Sequence, residues 1–371
     1  MTFSLTINSA RFRNHLQKVL TAHLDSGAGV IPVIKGNGYG FGRSLLANES
    51  SNLGATKVCV GTIWEASEVL ENFSGEVIVL EPISETDELA LSQWQTLLAD
   101  EGDRLVPVVA TSKLPNLADI GVQRVWLELR TSMNRFGLTL SEVASLSERL
   151  TKVNVIGYSL HLPIAQSVLN KLLKFETVTQ QLSSNKVREV CGLISWLTDL
   201  HAKAEGKLNL MVSHLTKTEI AAIAKQHPDI ALSIRLGTSL WLGDSQSVQA
   251  TGTVLAVHEL GAADRVGYLQ TSGGKVVAVV SGGTAHGVAL AAPIPTTSWR
   301  RRGIAVAEGF AQALGKVRSP FSINGKNLNF VEPPHMQVSM LWADGIDLKV
   351  GDEISCNVRN TTANFDAVIW N

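Results

Sequence analysis

The stretch IPVIKGNGYGFG, residues 31–42, joins four apolar or strand-forming residues to one lysine and then places four glycines in seven positions. Its first part predicts a short buried strand. Lys35 ends that strand, although a lysine is costly to bury and flexible to hold. The position of this amine, just before a loop with few side chains, therefore needs an explanation from the rest of the chain.

Seven more apolar runs follow along the chain. Together with the first, they predict strands near residues 29–35, 57–62, 76–82, 104–111, 124–130, 153–162, 208–214 and 230–237. The runs are continuous rather than alternating, which is typical of parallel strands buried on both faces. Segments such as KTEIAAIAKQ lie between them and have helical spacing. Eight such units predict an α/β fold, a (β/α)8 barrel of the TIM type, with an open doubly wound sheet as the alternative.

The pattern changes after residue 244. Runs such as KVVAVVSGG and MQVSMLW are short, are separated by Gly, Asp, Asn and Pro, and have little helical period. The segment NGKN inside FSINGKNLNF is a strong hairpin signal. We therefore predict two domains, a barrel over residues 1–244 and a C-terminal antiparallel β domain over residues 245–371.

Composition excludes several classes of protein. The formal net charge is −1, and no basic run is long enough for a nucleic-acid track. The three cysteines are far apart, which argues against a disulfide framework. No apolar run reaches the ~18 residues of a membrane span, the N-terminus lacks a signal-peptide layout, and His and Asp/Glu do not occur at metal-ligand spacing on one element. We expect a cytoplasmic protein without nucleic-acid, membrane or metal partners.

The carboxyl ends of barrel strands converge on the active site. The predicted strands deliver there Lys35, Glu128 to Arg135, His161, Ser213 with His214, and Arg235 with Gly237 and Thr238. Each of these is ordinary when taken singly, but the combination suits an anionic ligand that bears a carbonyl group. A lysine in a desolvated pocket has a lowered pKa and can form a Schiff base.

Four segments together resemble a known family, the bacterial alanine racemases. PVIKGNGYGFG resembles their lysine motif V-x-K-A-N-A-Y-G-H-G, and RTSMNRFG resembles D-T-G-M-x-R-x-G. YSLHLP is similar to the family's strand-end histidine segment, and SIRLGTSLWLG to its R-x-G-x-x-x-Y-G stretch. The order and rough spacing agree, and the β-rich tail resembles the family's C-terminal domain. The resemblance implies a barrel that binds pyridoxal 5'-phosphate.

The same resemblance implies a role for each matching residue. Lys35 would hold the cofactor aldehyde as a Schiff base, which would explain a buried amine, and the glycines would let the backbone approach the cofactor. Arg235 would face the pyridine nitrogen and keep it unprotonated, and Arg135 would touch the phenolic oxygen or the substrate carboxylate. The phosphate would be bound by Tyr39, Ser213, Gly237 and Thr238. His161 would lie against the ring.

Two departures from the family pattern affect the cofactor's surroundings. Glu128 stands where the family often has a modified lysine that carries a negative charge, and it would orient Arg135 without modification. The family's late phosphate-binding tyrosine has no match, and Phe365 is the nearest aromatic residue.

A third departure concerns the second acid–base. The family uses a partner-subunit tyrosine in G-Y-x-D-G-Y, whereas SGGTAHGVAL has Thr284 there. A threonine hydroxyl is too weak an acid for this task. His286 is the natural substitute, because histidine titrates near neutral pH. The segment VEPPHMQVSM resembles the family's C-M-D-Q loop, which makes His335 a second candidate and Met336 a substrate-binding residue.

The leading hypothesis is therefore a pyridoxal-phosphate-dependent amino-acid racemase, working as a head-to-tail homodimer with Lys35 and a histidine as its two bases. Decarboxylation, or elimination from a hydroxy amino acid, would use the same cofactor and break a different bond. A third hypothesis is a cofactor-binding protein that has lost catalysis. A fourth is a phosphosugar-type barrel without the cofactor.

Overall fold

The computed structural model describes residues 2–112, 114, 116–146, 150, 152–164, 176–200, 207–268, 270–290 and 317–371. This part of the chain forms two compact units. The barrel unit comprises Asn14–Gly36 and Gly42–Gly243, and the β unit comprises Met1–Arg13, Asn37–Phe41 and Asp244–Asn371.

The strands are β1 Phe3–Ile7, β2 Gly29–Pro32, β3 Lys57–Val60, β4 Glu76–Val79, β5 Leu105–Val109, β6 Arg124–Leu129, β7 Asn154–His161, β8 Leu208–Ser213, β9 Ile230–Leu236, β10 Val248–Glu259, β11 Arg265–Val266, β12 Gln270–Thr271, β13 Val276–Ser281, β14 Arg318–Ile323, β15 Lys326–Phe330, β16 Val338–Trp342, β17 Glu353–Cys356 and β18 Ala367–Trp370. The α-helices are α1 Ser9–Leu24, α2 Arg43–Asn52, α3 Ala66–Asn72, α4 Glu88–Glu101, α5 Leu140–Leu146, α6 Glu176–Leu200, α7 Lys217–Gln226 and α8 Thr238–Trp241.

Strands β2 to β9 form a closed parallel barrel. From β3 to β9 each strand pairs with the next in chain order, β2 pairs with β9, and all these pairs are parallel. A parallel bridge between Val33 and Cys59 joins the strand of Lys35 to β3, and the Ile34 N–H donates to the Cys59 carbonyl at 2.7 Å. The predicted (β/α)8 barrel is thus confirmed, and the open-sheet alternative is wrong because the first and last strands pair.

One cluster of buried side chains packs together across these strands. Its members are Ile31, Val33, Cys59, Ile78, Val106, Val108, Trp126 and Met211. They come from β2 to β6 and β8, or lie next to them, so the apolar runs that predicted the strands also supply the packing. Each large apolar side chain buried in this way contributes about 1.5–3 kcal/mol of transfer free energy. This packing fixes the strand ends from which the candidate site residues project.

The β unit is built around the long strand β10. Strand β10 pairs antiparallel with β1 and β17 through its first half and with β13 through its second half. Strands β14 and β15 form the hairpin that NGKN predicts, with Asn324 and Gly325 at positive φ, as a tight two-residue turn requires. The predicted antiparallel β domain is confirmed.

The first strand of the chain lies in the β unit. Phe3–Ile7 pairs with β10 and with β18, whereas the sequence analysis assigned residues 1–244 to the barrel domain. A five-residue apolar strand carries no local signal of which sheet it joins, since its partners, such as Val248 opposite Ile7, are remote in the sequence.

The glycine-rich segment Asn37–Phe41 also groups with the β unit. Gly40 has φ +88°, and a Cβ there would lie 3.0 Å from the Phe365 ring and 3.2 Å from the Asn360 carbonyl oxygen. The Asn37 side-chain amide donates to the same carbonyl at 2.8 Å. The expectation that the glycines serve approach to a cofactor is therefore corrected at Gly40, where the turn and the close protein contact already require glycine.

Among the residues that the structure describes, no helix is both long and apolar enough to span a membrane.

Candidate active site

Lys35 lies two residues beyond the bridge that closes the barrel. Lys35 is partly accessible to solvent, which corrects the expectation of a buried lysine, but enough protein surrounds its amine to desolvate it. The preceding backbone is fixed on both sides by hydrogen bonds. The Val33 N–H donates to the Leu236 carbonyl at 2.8 Å, and the Ile34 N–H donates to the Cys59 carbonyl. A fixed backbone under a solvent-accessible amine is what a ligand-attaching lysine requires.

The pKa of Lys35 is lowered from its ordinary value. Desolvation by the surrounding protein is the largest cause, and the positive charges of Arg135 and Arg235 lower the pKa further. Glu65 and Cys59 act in the opposite direction. Of these two, the Cys59 thiol has no charge near neutral pH, since burial raises its pKa to about 12. Lys35 is thus more easily deprotonated, and more nucleophilic, than an ordinary lysine.

Arg235 and Glu128 form an ion pair inside the barrel. Arg235 Nη1 lies 3.8 Å from Glu128 Oε2, and Arg235 Nη2 donates to the Leu160 carbonyl at 3.0 Å. The Ser159 hydroxyl also donates to Glu128 Oε2, at 3.2 Å. The expected pairing of Glu128 with Arg135 is therefore wrong, because Glu128 is opposite Ser159 in the strand register and shares the barrel interior with Arg235.

His161 and Ser213 occupy paired positions at the ends of β7 and β8. The Ser213 hydroxyl is 2.8 Å from His161 Nδ1, and the His214 ring packs edge-on against His161 with ring centroids 5.1 Å apart. The pKa of His161 is lowered to about 3, chiefly by desolvation and then by Arg235, Arg135, His214 and Lys35. His161 is therefore a neutral ring near neutral pH.

Gly237 and Thr238 follow β9, directly beside the strand of Lys35. Val30 and Pro32 on β2 are opposite Ile234 and Leu236 on β9. The indole N–H of Trp241, in the short helix α8, donates to the Val33 carbonyl at 2.8 Å and is buried. This bond ties the turn of Gly237 and Thr238 to the backbone that leads to Lys35.

Arg135 and Tyr39 have different surroundings. Arg135 is exposed, its guanidinium stacks 5.0 Å from the centroid of the Phe136 ring, and its charge acts on both Lys35 and His161. Tyr39 is buried in the β unit and has φ +55°, an uncommon conformation for a residue with a large side chain.

The two candidate second bases lie in the β unit. His286 is 7% exposed, accepts the Gly283 N–H at Nδ1 (3.2 Å), has Nε2 3.3 Å from Asp366 and packs on the Phe3 ring. Both of its ring nitrogens thus have protein partners. His335 is more accessible, with 32% of its side chain exposed.

His335 belongs to a local cluster that joins the two motifs of this unit. Its Nε2 is 2.7 Å from Glu332 Oε1, and the Tyr268 ring packs on it with centroids 5.1 Å apart. The His335 carbonyl accepts the Thr284 N–H at 2.8 Å, and the carbonyl of the exposed Met336 accepts the Ala285 N–H at 3.0 Å. The loops that resemble G-Y-x-D-G-Y and C-M-D-Q are therefore hydrogen-bonded to each other.

Two charged residues near the strand ends were missed in the sequence. Glu65 accepts hydrogen bonds from Gly36 N and Gly61 N. Lys186 on α6 is 8% exposed and donates to the His214 carbonyl at 2.7 Å. Neither is at a strand end or in a motif, and the turn IWEA and the helix that contains Lys186 carry no sequence signal of a site.

The chemistry of the barrel's donor set fits a phosphorylated aldehyde such as pyridoxal 5'-phosphate. An amine of lowered pKa, a buried guanidinium and the Ser213 hydroxyl lie at the carboxyl ends of neighbouring strands. Within the described residues, no group of three or more His, Cys, Asp and Glu side chains is arranged to hold a metal ion. Active sites of parallel barrels lie at this face, and a lysine of lowered pKa can form a Schiff base with a carbonyl compound.

Comparison with known proteins identifies the family. The sequence model of the alanine racemase N-terminal domain matches residues 7–195, just over half of the 371 residues. The chain therefore belongs to the alanine racemase N-terminal domain family, as the motifs predicted.

Individual relatives are distant. An alanine racemase of Levilactobacillus brevis is 27% identical over 187 residues, which is 48% of this chain and 50% of that protein. One of Campylobacter concisus is 29% identical over 152 residues, 40% of each chain. The chain thus matches only about half the length of these curated relatives, or less.

Solved structures resemble the whole fold. The alanine racemase of Bartonella henselae, which has covalently bound pyridoxal phosphate, is 16% identical with a TM-score of 0.65 and full coverage of both chains. That of Bacillus anthracis, with bound L-Ala-P, is 16% identical with a TM-score of 0.66 and covers 100% of this chain and 87% of its own. At these identities the likeness concerns the fold alone.

Proposed function

We propose that the protein is a pyridoxal 5'-phosphate-dependent amino-acid racemase of the alanine racemase type, which interconverts L- and D-amino acids as a homodimer with shared active sites. Family membership and the barrel fold support the class of reaction. The particular substrate, the cofactor and the dimer belong to the proposal.

The observation that carries the proposal is an amine that follows hydrogen-bonded backbone at the carboxyl end of the first barrel strand, in surroundings that lower its pKa. Desolvation and two arginines lower its pKa, so that a larger fraction of the amine is neutral near physiological pH. A neutral amine can attack an aldehyde and can also accept a proton from a substrate. An ordinary surface lysine, which is almost wholly protonated near physiological pH, would do both less readily.

When bound, the cofactor would supply the aldehyde for Lys35 and an electron-withdrawing ring that acidifies the substrate's α-hydrogen. Lys35 would then move that proton at Nζ on one face of the substrate. Arg235 would donate to the ring nitrogen, and Glu128 would hold its guanidinium in place through the buried ion pair. His161, a neutral ring, would flank the cofactor without adding a charge.

The remaining contacts of the proposal follow the sequence motifs. The phosphate would be bound by Tyr39, Ser213, Gly237 and Thr238. The Ser213 hydroxyl already bonds to His161, so its binding of a phosphate would use the second hydrogen-bonding capacity of the same hydroxyl. Arg135 would bind the phenolic oxygen of the cofactor or the substrate carboxylate, and Met336 would contact the substrate.

Racemisation needs a second proton carrier on the opposite face of the substrate. We propose His335 rather than His286 for this role. The hydrogen bond from His335 Nε2 to Glu332 assigns the ring proton to Nε2, which makes Nδ1 the basic nitrogen. His286 has both ring nitrogens engaged and is buried, so its contacts support a structural role.

The test is the conversion of single enantiomers by the full-length chain supplied with pyridoxal 5'-phosphate. L-Alanine and a panel of other amino acids would each be followed by chiral chromatography and by CO2 release. We expect the opposite enantiomer to form without CO2, and we expect Lys35→Ala to abolish its formation while Lys225→Ala, an exposed lysine on α7, does not. Release of CO2, or no conversion of any amino acid by cofactor-loaded protein, would contradict the proposal.

A further inference from the structure

The turn that carries Lys35 is held by a carboxylate from the next strand–helix connection. Glu65 Oε1 accepts the Gly36 N–H at 2.9 Å, and Glu65 Oε2 accepts the Gly61 N–H at 2.7 Å. Each oxygen of one carboxylate thus binds a backbone donor from a different segment. Gly36 immediately follows Lys35, so the carboxylate fixes the chain directly after the reactive amine.

Neither donor is used in the strand ladder, so both are available to a side chain. Gly36 has φ +62° and turns the chain away from the direction of β2. Its carbonyl is also satisfied by a side chain, since Arg43 Nη1 donates to it at 2.5 Å. A polar backbone group without a partner is costly unless water replaces the partner. The hydrogen bonds of Gly36 to Glu65 and Arg43 therefore stabilise this turn.

The position of Glu65 is itself fixed by its neighbours. It ends the 3-10 turn Ile63–Glu65 that precedes α3, and Ile63 and Ala66 on either side are fully buried. A Cβ at Gly61 would lie 2.9 Å from Glu65 Oε2 and 3.2 Å from Lys35 Cβ. Gly61 thus leaves just enough room for the carboxylate and the base of the lysine to lie against the same backbone.

The charge of Glu65 acts on the protonation of Lys35 in the direction opposite to the charges of two arginines. Arg135 and Arg235 both disfavour a proton on Lys35, and Glu65 favours one. The other group that favours a proton, Cys59, is uncharged near neutral pH. A group that must both take and return a proton works best when its pKa lies near the working pH. With two arginines and no carboxylate, Lys35 would release its proton readily and regain it poorly.

We propose that Glu65 is a positioning residue for Lys35, whose carboxylate clamps the turn directly after the lysine and places a negative charge close to it. The catalytic meaning of this inference rests on the proposed function. The structural and electrostatic claims concern the chain alone and can be measured without cofactor or substrate.

The test is the pH dependence of acetylation of Lys35 in the full-length chain freed of cofactor. Acetic anhydride reacts only with the neutral amine, which displaces acetate, and the rate at Lys35 is obtained by peptide mass spectrometry. We expect Glu65→Gln to move the midpoint of the profile to lower pH. Below the midpoint, each pH unit of displacement corresponds to about tenfold faster labelling. Glu65→Asp retains the charge and should lie between Glu65→Gln and the wild type.

The matched control is Glu71→Gln, which removes one charge from the helix that follows Glu65, α3, at an exposed residue that contacts Ser67 instead of the lysine turn. Its labelling profile should coincide with that of the wild type. Amide hydrogen exchange tests the clamp separately, and we expect Glu65→Ala to accelerate exchange at Gly36 and Gly61.

A Glu65→Gln profile that coincides with the Glu71→Gln profile, or that moves to higher pH, would overturn the inference. Unchanged exchange at both glycines in Glu65→Ala would overturn the clamp. Neither result depends on racemase activity. A protein that fails to convert amino acids but shows the shifted profile would contradict the proposed function and leave the role of Glu65 supported.

Discussion

Glu128 and Arg235 form an ion pair inside the barrel, with Oε2 and Nη1 3.8 Å apart and both side chains 3% exposed. The pair joins β6 to β9, and its charges are further satisfied by Ser159 and the Leu160 carbonyl. A buried charge is tolerated when its partner is present and becomes strongly destabilising when the partner is removed.

We therefore expect Glu128→Gln to lower the free energy of unfolding by about 3 kcal/mol, because Arg235 then retains a buried, uncompensated charge. Guanidinium unfolding at neutral pH measures this, with the exposed Glu71→Gln as the control, which should stay within about 0.5 kcal/mol of the wild type. Replacing both partners by methionine should recover much of the loss. A Glu128→Gln variant as stable as the control would mean that the pair does not matter for the fold.

His161 should remain neutral across the physiological range. Desolvation and the nearby positive charges lower its pKa to about 3, whereas a histidine in the unfolded chain titrates at about 6.5. Between these values the unfolded chain binds a proton that the folded chain does not, so this group makes the protein less stable as the pH falls from about 6.5 towards 3.

The ring signal of His161 in a proton NMR titration measures this directly, with His161→Gln used for assignment. We expect no change of its chemical shift between about pH 5 and 8, while the histidine signals of the denatured chain move near pH 6.5. Titration of the His161 signal near neutral pH would contradict the neutral role proposed for this ring.

Gly40 and Gly42 offer a matched pair for the cost of side chains in the glycine-rich loop. Both have positive φ, but a Cβ at Gly40 would meet Phe365 and Asn360, whereas a Cβ at Gly42 would meet open space. Alanine at such a positive φ costs on the order of 1–3 kcal/mol at either position. We expect Gly40→Ala to lose at least about 1 kcal/mol more of unfolding free energy than Gly42→Ala, because the steric contact adds to the conformational cost. Equal losses would show that only the backbone conformation selects glycine at position 40.

His335 and His286 should respond differently to replacement by glutamine. His335→Gln should lower racemisation about 100-fold, the usual scale for loss of a general acid–base, while the α-hydrogen of one enantiomer still exchanges with deuterium through Lys35. His286→Gln should lower the unfolding free energy by about 1–2 kcal/mol through its lost hydrogen bonds, with turnover per folded molecule little changed. Full activity of His335→Gln, or exchange from both enantiomers, would exclude His335 as the second base.

Much of the fold could be predicted from the sequence, because parallel strands buried on both faces leave continuous apolar runs that need no knowledge of their partners. The eight runs from residue 29 to residue 237 correspond to the eight barrel strands, and NGKN corresponds to the β14–β15 hairpin. The membership of Phe3–Ile7 in the second sheet could not be predicted, because its partners β10 and β18 are remote in sequence.

The candidate site was predictable in its residue types and less so in its pairings. The strand-end position of Lys35, His161, Ser213 and Arg235 follows from the order of the strands. The partner of Glu128 depends on which face of the barrel its side chain occupies. Its register with Ser159 places it on the interior face with Arg235, and its spacing from Arg135 in the sequence does not reveal this. Glu65 acts through two backbone donors on different segments, and its local sequence looks like any acidic start of a helix.

The central claim is that Lys35 attaches pyridoxal 5'-phosphate, and borohydride reduction of cofactor-loaded protein tests it most directly. We expect a visible absorption band that borohydride abolishes, with the reduced adduct mapped by mass spectrometry to Lys35 and absent from Lys35→Ala. A protein that acquires no such band when supplied with the cofactor, or an adduct on another lysine such as Lys186, would contradict the claim.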